Sequence, residues 1–142
     1  MYPNRSKQQT WGTIFSGLAA LALTGSAIAK IAHAPKMFDA LIRAGIPEAA
    51  ILPIALLELS CLALFLIPRT TVLGAFLLSG YFGGATLTHI IGGESIVPPL
   101  VIGLVIWAGA WLRVLELQSL LPVRKEEAVR TYGSAQPAPT RG

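Results

Sequence analysis

Residues 49–67 read AAILPIALLELSCLALFLI, and this stretch decides the fold. Its length is close to the ~20 residues that a helix needs to cross a hydrocarbon core of ~30 Å. A helix of a soluble bundle would carry a polar stripe every three to four residues, whereas this stretch is apolar on all sides. It therefore indicates a transmembrane helix, with one acidic residue, Glu58, inside it.

The composition of the whole chain agrees with a membrane protein. Of the 142 residues, 54% are hydrophobic and 13% are charged, which is too apolar for a soluble domain of this length. The net charge is +4, but no basic patch is interleaved with aromatic residues, so nucleic acid is not an expected partner. The single cysteine, Cys61, excludes an intramolecular disulfide and is expected to be a small buried hydrophobe.

Three further apolar stretches complete a predicted bundle of four transmembrane helices, with spans at about 11–34, 49–67, 71–91 and 98–115. We predict a transmembrane domain over residues 1–122 and a cytoplasmic tail over 123–142. The tail is charged and then rich in Gly, Ser, Ala and Pro, which predicts disorder from Glu126 onward. The predicted fold class is thus an all-α membrane protein.

The distribution of Lys and Arg predicts the orientation in the bilayer. With the N-terminus inside, the inner side receives most of the basic residues, namely Arg5, Lys7, Arg69, Arg113, Arg124, Lys125, Arg130 and Arg141, and the outer side receives Lys36 and Arg43, with Lys30 near a helix end. The positive-inside rule then predicts a multi-pass inner-membrane protein with both termini in the cytoplasm. A cleaved signal peptide ending near residues 27–29 is the alternative, but the apolar character continues to Ala34.

Two connections are informative. Between spans one and two, an apolar face of Met37, Phe38, Leu41 and Ile42 opposes Lys36, Asp39 and Arg43, which predicts a short helix on the outer surface that ends near Gly45 and Pro47. Between spans two and three, residues 68–70 form a tight turn, which makes these two spans antiparallel neighbours.

Glu58 is the most informative polar residue. It lies about 14 Å into its span, near the bilayer centre, where an acidic group costs ~3 kcal/mol to insert. Either it faces the bundle interior as a proton-exchanging or ligand-binding carboxylate, or it is a structural carboxyl that ties two helices together.

Other polar residues are candidates to join Glu58. Lys30, near the outer end of span one, either snorkels outward or bends inward toward Glu58. Tyr81 and His89 share one face of span three, and Tyr81 is level with Glu58 if the spans are antiparallel. We predict that Lys30, Glu58, Tyr81 and His89 line one cavity that opens outward and binds a ligand. Ordinary interhelical hydrogen bonds or headgroup contacts are the alternative for Tyr81 and His89, and no metal site is predicted.

Span three also carries small residues. Gly80 and Gly84 have GxxxG spacing, and Ser79 and Gly83 form a second small pair. Such residues let helix backbones approach closely, so we predict a structural role in packing within the monomer, with a homodimer through Gly80 and Gly84 as the alternative.

The segment from Ile67 to Ala85, IPRTTVLGAFLLSGYFGGA, continuing to Thr88 and His89, resembles the DoxX-like family of small bacterial membrane proteins. The resemblance extends to Ala29-Lys30, Leu57-Glu58-Leu59, Trp107–Arg113 and Leu121-Pro122, and so covers roughly residues 14–122. It implies a four-helix membrane fold in which the matching polar positions are Lys30, Glu58, Arg69, Tyr81, His89 and Arg113. The loop Gly92-Gly93-Glu94 departs from the family pattern, in which a basic residue often follows the histidine.

The resemblance also implies a role beside quinone-linked or thiol-linked redox chemistry. We therefore predict an accessory protein or subunit of a membrane redox system that binds a lipophilic, quinone-like ligand within the bundle. The sequence has no haem-ligand pair or flavin fingerprint, so any electron transfer would depend on a bound quinone or a partner. We expect no enzymatic activity of the chain on its own, although it could be a subunit of an oxidoreductase. A proton-coupled transporter and a structural or assembly factor are the alternatives.

Overall fold

The computed structural model describes residues 5–114 and Leu117, with side chains from Lys7 onward. Over these residues the chain forms helices and no strand, namely α1 (Arg5–Ile31), α2 (Pro35–Arg43), α3 (Glu48–Leu66), α4 (Thr71–Ile91) and α5 (Val97–Arg113). The predicted all-α membrane bundle is confirmed. The predicted tail over 123–142 and the domain boundary at 122 lie outside the described residues.

The helix bounds agree closely with the sequence for α3 and α4, and least well for α1. Span one was predicted over 11–34, but α1 begins at Arg5 and ends at Ile31. Apolarity marks the part of a helix that lies in lipid, whereas polar residues such as Lys7 and Gln8 are themselves good helix formers and extend it. At the other end, His33 adopts a positive φ of 50° and the chain turns into α2.

The lengths and surfaces of the helices suit a bilayer. α1, α3 and α4 are each long and apolar enough to cross a membrane, and α5, with 17 residues, is shorter at about 25 Å. Large apolar side chains are exposed around the bundle, including Leu21, Ile28, Leu52, Leu56, Phe76, Ile90 and Leu104. Lipid-facing helices require such a surface.

The four long helices are arranged as a ring. α1 packs against α3 and α5, and α4 packs against the same two helices from the opposite side. Ala19, Leu23, Phe65, Leu78 and Ile106 are among the buried residues of the shared core. The short helix α2 contacts α1 and α4 at one end of the bundle, which we call the α2 end, and the α3–α4 turn marks the turn end.

Helix α2 confirms the predicted short helix in the first connection. Its face bearing Leu41 is buried, and Arg43 on the other side is exposed. Gly45 then adopts a φ of 81°, a left-handed conformation that glycine reaches without steric cost, and Pro47 precedes the first turn of α3.

At the turn end α3, α4 and α5 are fastened together. A Cβ atom added to Gly74 would overlap the backbone of Phe65, so α3 and α4 touch directly there. From α5, the Arg113 guanidinium donates hydrogen bonds of 2.8 Å to the Phe65 carbonyl oxygen and 2.8 Å to Thr71 Oγ1. Arg69, which was also predicted to be structural, lies exposed in the turn.

The predicted packing at Gly80, Gly83 and Gly84 within the monomer is wrong. Among the described residues, no atom lies within 4 Å of the position that a Cβ would occupy at any of the three. Helices α3 and α4 are joined by the turn at residues 68–70, so their backbones touch near that turn, at Gly74. Gly80, Gly83 and Gly84 lie farther along α4 and face open space. A homodimer through Gly80 and Gly84 stays a prediction.

Candidate functional site

A cavity of about 660 Å³ lies between the four long helices, toward the α2 end. Most of its wall is apolar, with Leu23, Met37, Leu41, Ile46, Ile54, Leu57, Leu77, Phe82 and Ile102 among the lining residues. This volume falls within the range of about 300 to 1,000 Å³ that is usual for small-molecule sites. The cavity is therefore large enough for a compact organic ligand.

The polar part of the wall is a buried ion pair between α1 and α3. Lys30 Nζ lies 2.9 Å from Glu58 Oε2, and the two side chains are 6% and 1% exposed. Lys30 Nζ also donates a hydrogen bond of 2.6 Å to Ser26 Oγ, one helical turn earlier. Of the two orientations considered for Lys30, the structure shows the inward one.

Tyr81 lies beside this pair on α4. Lys30 Nζ is 6.0 Å from the centroid of the Tyr81 ring, at the outer limit of a cation–π contact. The Tyr81 side chain also interacts electrostatically with Glu58 and packs edge-on against Phe82, with 5.5 Å between ring centroids. Along their helices, Glu58 and Tyr81 are about 12 Å and 15 Å from the turn end, so they lie at similar depth.

His89 belongs to the rim of the cavity. Its Nδ1 lies 2.7 Å from the carbonyl oxygen of Ser95 and 3.9 Å from Glu94 Oε2. Glu94 in turn accepts a hydrogen bond of 3.1 Å from Arg43 of α2. These polar contacts join α2 to the α4–α5 connection. Among the described residues, no group of three or more His, Cys, Asp or Glu could hold a metal ion.

The structure thus brings all four predicted ligand-binding residues to one cavity, with Lys30, Glu58 and Tyr81 in the wall and His89 at the rim. Their role in binding stays a prediction. Sequence reasoning missed Ser26, although its spacing of four residues from Lys30 places both on one helical face. It also missed Cys61, which is buried and lines the same cavity.

Comparison with known proteins gives one result. The model of the DoxX-like family matches residues 14–112, which is more than half of the chain. This chain belongs to the DoxX-like family. As a member of that family it is a multi-pass integral membrane protein, and the ion pair, Tyr81 and His89 all fall within the matched region. No curated protein and no solved structure gave a significant match.

The chemistry available in the cavity of this DoxX-like protein is that of a hydrogen-bond donor in apolar surroundings. A lysine ammonium has three N–H donors, and Ser26 and Glu58 accept two of those of Lys30. Among the described residues, the structure shows no hydrogen bond that takes up the third. The surrounding aliphatic and aromatic side chains would bury the ligand's apolar parts.

Proposed function

We propose that this DoxX-like protein binds a small lipophilic ligand with a quinone-like head in the cavity, and that it acts as an accessory protein or subunit of a membrane redox system. The observation that carries the proposal is the Lys30–Glu58 pair, which is almost fully buried and lines a cavity whose wall is mostly apolar.

The cost of burying two charges supports a ligand-binding role for the pair. Taking both charges out of water is expensive, and a pair of well-packed apolar residues is often as stable or more stable. An ion pair beside a cavity gains from a ligand that accepts a hydrogen bond from Lys30. A quinone offers two carbonyl acceptors on a planar apolar ring, and the Tyr81 ring, 6.0 Å from Lys30 Nζ, offers an aromatic surface for such a ring.

The redox part of the proposal assigns electron transfer to a partner. The chain carries no flavin fingerprint or haem-ligand pair, so a bound quinone would have to exchange electrons with another protein of the membrane. The protein would then hold or deliver the quinone. This is an accessory role, and it needs no catalytic residue in the bundle itself.

We also propose a placement in the bacterial inner membrane, with both termini in the cytoplasm and the α2 end outside. The support is the distribution of basic residues, since Lys7, Arg69 and Arg113 lie at the turn end. Lys36 and Arg43 are the basic residues of α2. A cysteine-labelling experiment on a Cys61→Ala background, with single cysteines at Lys36 and Arg69, tests this orientation in spheroplasts.

The binding proposal is tested by titrating a short-tailed benzoquinone into the protein in lipid nanodiscs, with tryptophan fluorescence as the readout. Lys30→Met should weaken binding by about 10- to 100-fold, because a hydrogen bond to a charged group contributes about 1.5 to 3 kcal/mol. Ser60→Ala is the control, since Ser60 is an exposed residue of α3 that bonds to its own helix. Absence of saturable binding by the wild type, or unchanged binding by Lys30→Met, would refute the proposal.

A second function, that of an assembly factor, is favoured by the direct contact between Lys30 and Glu58, because such a pair also ties α1 to α3. On this view Glu58→Gln would lower the amount of protein in the membrane together with the level of any partner complex. Loss of a partner's activity at an unchanged protein level would speak against it. Quantitative immunoblotting of membranes, paired with a quinone-reduction assay, separates the two functions.

A further inference from the structure

We propose that the ligand reaches the cavity sideways from the bilayer, through a gap between α3 and α4, and that it is an amphiphile whose hydrocarbon tail lies in this gap. The gap, called here the lateral portal, is bordered by Leu57 of α3 and by Leu77, Gly80 and Gly84 of α4. This inference rests on the proposed function and adds the route and the shape of the ligand.

The α4 side of the portal is identified by the contacts of that helix. Trp107 of α5 donates a hydrogen bond of 2.9 Å from Nε1 to Ser79 Oγ, which marks the side of α4 that faces α5. Gly80 and Gly84 lie about 100° and 140° round α4 from Ser79, line the cavity and are exposed. Open space surrounds the position of a Cβ at both glycines, so nothing in the described chain fills the portal.

The α3 side shows that the cavity is continuous with the lipid-facing surface. Leu57 is 55% exposed, whereas its neighbour Glu58 is 1% exposed, and both line the same cavity. Across the gap, Leu77 of α4 is 43% exposed and also lines the cavity. One apolar wall therefore runs from the outside of the bundle to the buried ion pair.

The other route into the cavity, from the water at the α2 end, is closed by helix α2. Helix α2 inserts the buried side chain of Leu41 into the cavity wall, and the Arg43–Glu94 contact of 3.1 Å holds α2 to the α4–α5 connection. A Cβ added to Gly92 would lie 3.4 Å from the Ala40 carbonyl oxygen, so the backbones also meet there. Passage from water would require α2 to move away.

The depth of the portal fits the hydrocarbon region. Gly80 lies about 14 Å along α4 from the turn end, near the middle of a helix of about 31 Å. A ligand with its polar head at Lys30 would therefore extend its tail among lipid acyl chains. Lipid-soluble quinones with isoprenoid tails have this combination of an acceptor head and a long flexible chain.

The test compares two ligands with the same quinone head, one with a long isoprenoid tail and one without a tail, in the nanodisc binding assay. Gly84→Leu and Gly80→Leu place a side chain in the portal. They should weaken binding of the long-tailed ligand at least 10-fold more than they weaken binding of the tailless ligand. Gly83→Leu is the matched control, because Gly83 is an exposed glycine of the same helix that lies outside the cavity wall.

The outcomes separate the portal from the proposed function. No binding of either ligand by the wild type would overturn the proposed function. Equal effects of Gly83→Leu and Gly84→Leu, or no effect of either, would overturn the portal alone. Native mass spectrometry of the same samples gives the oligomer size. A wild-type dimer that Gly84→Leu converts to a monomer would show that a second copy covers this face, and would also overturn the portal.

A labelling experiment covers the case in which the leucine variants fail to fold. A long-chain quinone with a diazirine on the part of its tail nearest the head is bound to the wild-type protein and photolysed, and the labelled peptides are mapped. Labelling of residues around Leu57 or Leu77 supports the portal. Labelling confined to the α1–α5 surface, for example around Leu104, would overturn it.

Discussion

Replacing Lys30 by methionine would leave the Glu58 carboxylate buried beside a chain of similar length that carries no charge. At 2.9 Å and an effective dielectric constant of about 20, the attraction between the two charges is about 6 kcal/mol. Desolvation of both groups cancels part of this energy, and loss of one partner of a buried pair commonly costs about 3 to 5 kcal/mol. We expect Lys30→Met to lower the free energy of unfolding by about 3 to 5 kcal/mol.

Loss of Glu58 should lower the free energy of unfolding less than loss of Lys30. In Glu58→Gln the amide oxygen still accepts a hydrogen bond, and the flexible stem of Lys30 can carry the ammonium toward water, so the loss should be smaller, about 1 to 3 kcal/mol. The double variant has no unpaired charge. It should be more stable than the sum of the two single losses predicts, with a coupling energy of about 1 to 3 kcal/mol.

Equilibrium unfolding in mixed micelles of a mild detergent and dodecyl sulfate measures all four proteins of this cycle. Helical circular dichroism and tryptophan fluorescence should give coincident transitions if unfolding is two-state. A coupling energy near zero would refute the reasoning, because it would mean that the ammonium and the carboxylate do not stabilise each other in the folded bundle. Lys36→Met, an exposed lysine of α2, is the control for the loss of one positive charge.

Two further predictions concern the turn end. Gly74→Ala should destabilise the protein by about 1 to 3 kcal/mol, because the new methyl group overlaps the Phe65 backbone. Gly83→Ala is the control and should be neutral or stabilising by up to about 1 kcal/mol. Equal effects of the two substitutions in the same unfolding assay would contradict the observed approach of α3 and α4. Arg113→Lys should cost about 1 to 3 kcal/mol, because Arg113 Nη2 donates both hydrogen bonds to Phe65 and Thr71, and the lysine side chain is one bond too short to place its nitrogen there. An unchanged unfolding midpoint for Arg113→Lys would contradict this dependence on the reach of the guanidinium.

The sequence was sufficient to predict the membrane bundle, the tight turn and the short helix α2, because apolar length and turn chemistry are local properties. It was not sufficient to choose between the two orientations of Lys30. A lysine four residues from a helix end can reach either the interface or the interior, and the choice depends on the position of Glu58, 28 residues away. The spatial distance between Lys30 and Glu58 depends on how α1 packs against α3, which the local sequence does not determine.

The glycines show the same limit. GxxxG spacing at Gly80 and Gly84 indicates that a backbone can be approached closely, but it does not say whether a neighbouring helix is there. The close contact falls instead at Gly74, a single glycine opposite Phe65, because the turn at residues 68–70 brings the two helix ends together. Sequence spacing alone cannot distinguish a glycine that packs from one that borders an open space.

The direct contact between the backbones of α3 and α4 at Gly74 lies near one end of this pair of helices, far from the lateral portal. Gly84, at the portal, is about 15 Å farther along α4 than Gly74. A rotation of α4 by about 10° about Gly74 would displace Gly84 by about 3 Å, which is comparable to the thickness of a hydrocarbon chain. A change in packing around Phe65 and Arg113 that rotated α4 in this way would therefore alter the width of the gap, although these residues lie far from the cavity.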